Sequence, residues 1–97
     1  MGIQSFGDAT TEDVFHGTKN ARVRGLPNDV LVAAIGKLDM LNAAHFLTDL
    51  MMPPGNRLEA LKGDRAGYHS IRINSQWRIL FVWTDAGPTE VQIVDYH

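Results

Sequence analysis

The chain has 97 residues, 44% of them apolar, with no cysteine and a formal net charge of −2. A chain this short closes a single hydrophobic core, which excludes a two-domain enzyme, and the absence of cysteine excludes a disulfide framework, a thiolate nucleophile and a Cys-based metal site. No apolar run approaches the roughly 20 residues that span a bilayer, and the opening Met1 to Phe6 lacks the basic and long apolar regions of an export signal, so a soluble cytoplasmic protein with no membrane contact is expected.

In chain order, Ile3 and Phe6 suggest a short edge strand, and Asp8 offers an N-cap for a helix from about Thr10 to His16. Leu26-Pro27-Asn28-Asp29 opens a longer helix. Val30, Leu31, Ala34, Ile35, Leu38 and Leu41 recur at helical spacing and form its apolar face. A short turn of helix is expected around Ala44 to Leu50, and Pro53-Pro54-Gly55-Asn56 forces a loop. From there the pattern is that of strands.

The register of the hairpin that follows can be derived from side-chain parity, because strand neighbours alternate faces. A two-residue loop at Asn74-Ser75 sets Trp77 against Arg72 and splits the apolar residues between faces. A three-residue loop, Asn74-Ser75-Gln76, pairs Ile73 with Trp77 and Ile71 with Ile79, giving one continuous apolar face. That register also sets Arg72 opposite Arg78. Like charges in this relation repel by up to roughly 1 kcal/mol, which calls for an anion between or beside them, either a carboxylate such as Glu59 or Asp95 or a phosphate. A turn at Asp85-Ala86-Gly87-Pro88 leads to a last strand, Glu90 to Tyr96, that buries Val91 and Ile93. Two helices followed by a meander of strands is an α+β domain, with the helices packed on a small, mainly antiparallel sheet.

The charge distribution is uneven. Residues 57 to 78 carry five of the nine Lys and Arg side chains (Arg57, Lys62, Arg65, Arg72, Arg78) against Glu59 and Asp64 alone. Such a cluster fits a solvated sheet face or a phosphate-binding surface. With Glu59, Asp95, Tyr96 and His97 nearby in the pattern, the sequence holds a base for a 2′-hydroxyl, cations for charge growing on phosphorus, and an acid for the leaving oxygen. It holds no HExxH, Walker loop or Gly-x-Ser-x-Gly elbow, and no metal or cofactor is expected. His97 closes the last strand, where no packing rule requires a histidine. His16, His45 and His69 read as structural or surface residues, and the four methionines as core filler, with Met51 and Met52 as candidate partner contacts.

Pro54 to Tyr68 (PGNRLEALKGDRAGY), Ser70 to Ile79 (SIRINSQWRI) and the terminal Val94-Asp95-Tyr96-His97 resemble the HigB toxins of the RelE/ParE superfamily at the right spacing. Residues 3–6, 11–15 and 41–45 are also similar, so the resemblance covers nearly the whole of 1–97, a single RelE-like domain. It implies a microbial-ribonuclease-like fold, ribosome-dependent cleavage of mRNA, and neutralisation by a HigA-type helix-turn-helix antitoxin that carries the pair to operator DNA. By position, Arg78 matches the family's phosphate-stabilising arginine, Asp95, Tyr96 and His97 its catalytic tail, and Lys62 a basic residue of its Leu-Lys-Gly segment, so that with Glu59 these six are the expected catalytic residues. Arg57, Lys62, Arg65 and Arg72 are the expected RNA-binding cations. Some members carry histidine where this chain has Glu59, which leaves the general base between Glu59 and His97. A ParE-like toxin that poisons DNA gyrase without a catalytic set is the alternative.

Overall fold

A computed structural model of the chain describes residues 2–96, so the terminal His97 lies outside the described residues. Three α-helices, α1 (Ala9–His16), α2 (Ala21–Arg24) and α3 (Asn28–Ala43), precede an antiparallel sheet of four strands, β1 (Glu59–Ala60), β2 (His69–Arg72), β3 (Trp77–Thr84) and β4 (Gly87–Asp95), in the spatial order β1-β2-β3-β4. Short 3-10 turns at Leu47–Met51, Pro54–Asn56 and Gly63–Arg65 carry the chain between α3 and β2. Among the described residues, no helix is long and apolar enough to cross a membrane.

The hairpin register derived from parity is the observed one. Ile71 pairs with Ile79, Arg72 with Arg78, and the Ile73 N–H donates to the Trp77 carbonyl at 2.9 Å across the three-residue turn. Asn74 stabilises that turn from within, its Oδ1 accepting the N–H groups of Gln76 at 2.9 Å and Trp77 at 2.8 Å. Ile71, Ile79, Phe81, Val91 and Ile93 line one sheet face and join Val14, Val23, Ala34, Leu38 and Leu41 of the helices in one core. Helix α3 buries Val30, Ala34, Leu38 and Leu41 as its spacing predicts, but Ile35 is 44% exposed and lies off the buried stripe. Met51 and Met52 are exposed, not core filler, while Met40 packs against the core.

Helix α2 was not expected. Four residues are too few to show a period; it forms because Asn20 caps it, accepting the Val23 N–H at 3.0 Å. The same Asn20 and the Arg22 guanidinium donate to the Asp13 carboxylate, and these two contacts hold its pKa below the ordinary aspartate value.

The expected N-terminal edge strand is an extended segment that pairs parallel to β4: the Gln4 N–H donates to Pro88 O, Val91 N–H to Ser5 O and Gly7 N–H to Val91 O. It ends at Gly7, where the chain turns into α1. The next outward N–H on β4, that of Ile93, is taken by the hydroxyl of Thr11 at 2.8 Å, a buried contact across 82 positions of sequence. Thr11 is fully buried, so the helix itself supplies the acceptor that the missing strand cannot.

Thr11→Val keeps the shape and removes that acceptor, leaving the Ile93 N–H buried and unpaired. A loss of about 1–3 kcal/mol is expected, read by urea unfolding, while Thr11→Ser, which keeps the oxygen, should lose less than half as much.

Candidate functional site

The strand alternation that sends Ile71 and Ile79 into the core sends Ser70, Arg72 and Arg78 to the opposite face, away from the helices. That face is closed at one end, where Ser70, Leu80 and Leu61 are buried although none of them belongs to the main core. Strand β1 pairs Glu59 with Ser70, which brings a carboxylate to the same neighbourhood.

Arg78 is the centre of the arrangement. Its Nη1 donates to Ser70 Oγ at 2.7 Å and to the Arg57 carbonyl at 3.4 Å, and lies 3.4 Å from Glu59 Oε1. Its side chain is only 14% exposed against 48% for Glu59, so the arginine is fixed and the carboxylate approaches from the rim. The anion required by the Arg72/Arg78 pairing is therefore supplied, for Arg78, by Glu59. Arg57 adopts φ 47°, a left-handed conformation, as the chain leaves the Pro54–Asn56 turn.

Beside Arg78 lies an open cavity of about 240 Å³ lined by Arg57, Arg72, Arg78, Tyr96 and the turn residues Asn74, Ser75 and Gln76. Three guanidinium groups and no carboxylate line it among the described residues. Such a wall attracts an anion and can meet it with planar, paired N–H groups. Tyr96 closes one side, with the guanidinium carbons of Arg65 and Arg78 each 5.5 Å from its ring centroid. Cation–π contacts of this kind are each worth roughly 0.5–1 kcal/mol at exposed sites and orient the ring.

The expected residues thus separate into groups. Arg57, Arg72, Arg78 and Tyr96 meet at the cavity, Arg65 joins them through the Tyr96 ring, and Glu59 reaches Arg78. Asp95 is exposed at the end of β4 and is held by Gln76, whose Nε2 lies 3.1 Å from each of its carboxylate oxygens. Lys62 is exposed and is not part of the cavity lining. Ser70 and the side chains of the 74–76 turn were not singled out by sequence, although Ser70, two residues before Arg72, shares its face by parity alone.

The family model described as the RelE-like toxin HigB of type II toxin–antitoxin systems matches residues 4–97. Toxin HigB-1 of Vibrio cholerae serotype O1 is 40% identical over 80 residues, covering 82% of each chain. An endoribonuclease HigB of Proteus vulgaris is 42% identical over 41 residues, 42% of this chain and 45% of that one. An uncharacterised protein of Haemophilus influenzae is 36% identical over 56 residues, 58% of this chain and 55% of that one.

The geometry around Arg78 predicts opposite signs for two substitutions. Ser70→Ala removes a short, charge-assisted hydrogen bond and is expected to lower stability by about 1.5–3 kcal/mol, whereas Arg72→Gln relieves cross-strand repulsion and should leave stability unchanged or raise it by up to about 1 kcal/mol. Equilibrium unfolding of both variants reads the difference.

Proposed function

The chain belongs to the HigB-like family of RelE-like toxins of type II toxin–antitoxin systems, and from that premise we propose that it is an endoribonuclease that cuts messenger RNA on the ribosome and so arrests translation and growth. The observation that carries this reading is the cavity of three arginines and a tyrosine, with no lining carboxylate among the described residues. The name of the Proteus vulgaris relative, an endoribonuclease, points the same way.

In this reading the 2′-hydroxyl of the ribose attacks the adjacent phosphorus, a base takes its proton, the bond from phosphorus to the 5′ oxygen breaks, and an acid protonates that oxygen. The products are a 2′,3′-cyclic phosphate and a 5′-hydroxyl. Negative charge grows on the non-bridging oxygens, and Arg78, held before the substrate arrives by Ser70 and the Arg57 carbonyl, is the donor that stabilises it. Arg57 and Arg72 share that charge. Glu59, half-exposed and paired with Arg78, is the counter-ion that phosphate displaces. Proton transfer falls to the tail of Asp95, Tyr96 and His97, with His97 as the base. Lys62, outside the cavity, and Arg65 contact neighbouring phosphates, and the Tyr96 ring offers a face on which a base can stack.

A toxin of a type II system is paired with an antitoxin; the partner proposed is a HigA-type helix-turn-helix protein, through which the pair reaches operator DNA. The ribosome, the mRNA and a cytoplasmic location complete the proposal.

Primer-extension mapping after induction should reveal new transcript ends inside translated codons. Intact transcripts together with gyrase-dependent DNA breaks overturn the reading. On purified ribosomes, Arg78→Gln is expected to lower the single-turnover cleavage rate by about a hundredfold or more with far less change in ribosome binding. Glu59→Gln is expected to retain the rate within roughly threefold, since a lost counter-ion leaves the transition-state contacts in being; a hundredfold loss there would instead make Glu59 the base.

A further inference from the structure

The turn that closes the β2–β3 hairpin also holds the end of β4. Asn74 fixes the backbone of residue 76 through its Oδ1, and from that position Gln76 makes two separate contacts with the chain's last described residues. Its Nε2 bridges both carboxylate oxygens of Asp95 at 3.1 Å, and its carbonyl accepts the Tyr96 N–H at 2.7 Å. Asp95 is the last residue of β4 and pairs with Trp77, so Tyr96 lies one residue past the strand and is carried by the Gln76 carbonyl. The Tyr96 ring then stands against Arg65 and Arg78.

Gln76 is exposed, and core packing asks nothing of it. Its chemistry fits a different demand. A carboxylate beside three guanidinium groups is drawn toward them by Coulomb attraction, where it would occupy the space an RNA phosphate needs. A neutral amide can hold Asp95 at the cavity edge without adding a charge of its own; a lysine or arginine at this position could not. Asp95 is accordingly absent from the cavity lining, while Gln76 and Tyr96 are both part of it.

We infer that Gln76 is a positioning residue for the cleavage reaction: it seats the Asp95–Tyr96 tail beside the arginine cavity and keeps the Asp95 carboxylate out of it. The inference rests on the nuclease reading above. Its effect is exerted through the tail, so its loss costs rate more than affinity.

The test uses the full chain and ribosomes carrying a translated mRNA. Gln76→Ala should lower the single-turnover rate by roughly ten- to a hundredfold while KM for the ribosome complex stays within about threefold; alanine keeps the carbonyl that accepts the Tyr96 N–H, but loss of the Asp95 contact lets the strand end fray, so hydrogen exchange at the Tyr96 amide should accelerate. Gln76→Glu has the same length but no donor and sets like charges together, so it should lose at least as much. A side chain that merely fills space predicts that glutamate is spared. Unchanged Tyr96 protection, faster exchange with an unchanged rate, or a defect confined to KM each overturns the assignment. Should the wild-type chain cut no RNA, the nuclease reading fails, and the exchange measurement decides the tail's attachment: retained protection in Gln76→Ala overturns it and lost protection supports it.

Discussion

Strand β3 has two obligations, and the pairing of Arg72 with Arg78 is where they meet. Ile79 and Phe81 must enter the core, both being fully buried. Parity then leaves Arg78 no choice but the opposite face. A slip of one residue would expose the isoleucines and drive the arginine among them, at a cost of many kilocalories per mole, since an unpaired buried charge is far more expensive than a lost methyl contact. Core and cavity are therefore built by one register, and the three-residue turn locked by Asn74 selects it. The hydrogen-bonded ladder that makes the sheet brings Arg72 and Arg78 together, and the turn at Pro54–Asn56 adds Arg57 to them.

Concentrating positive charge on one face has a cost that the rest of the chain absorbs. The protein is acidic as a whole, yet Arg57, Arg72 and Arg78 share one cavity. The repulsion is met locally and by different means. Glu59 approaches Arg78 from the rim, Ser70 and a backbone carbonyl accept from its Nη1, and the Tyr96 ring takes up the faces of Arg65 and Arg78. None of these partners fills the cavity itself. An arrangement that satisfies its arginines partly from the sides, and leaves the front open, is suited to bind an anion that comes and goes.

The sequence made the hairpin legible because its signals are strong and short in range: alternation over two strands, a turn of fixed length, and one register that avoids splitting the apolar set. Helix α3 was legible for the same reason, with Ile35 the exception because an apolar side chain at the edge of a helical stripe can lie outside the buried sector. What escaped were contacts with no local trace. Thr11 meets Ile93 across almost the whole chain, and nothing near either residue announces the bond. Helix α2 rests on an asparagine cap and an ion pair, too brief for periodicity. Ser70 was within reach, since it shares the face of Arg72, but a serine between His69 and Ile71 carries no signal until its neighbour across the sheet is known. Gln76 looked like a turn residue, and it is one; that its amide also holds Asp95 depends on β4 returning beside the turn.

Central to the proposed activity is a preformed arginine cavity that receives an RNA phosphate under attack by its own neighbouring 2′-hydroxyl. The most direct measurement is cleavage of a ribosome-bound mRNA in which the nucleotide 5′ to the mapped cut carries a 2′-O-methyl group, with the termini of the unmodified product analysed in parallel. The methyl group should abolish cutting at that position, and the unmodified message should yield a 2′,3′-cyclic phosphate and a 5′-hydroxyl. Undiminished cleavage of the methylated message, or a 5′-phosphate on the product, would contradict it.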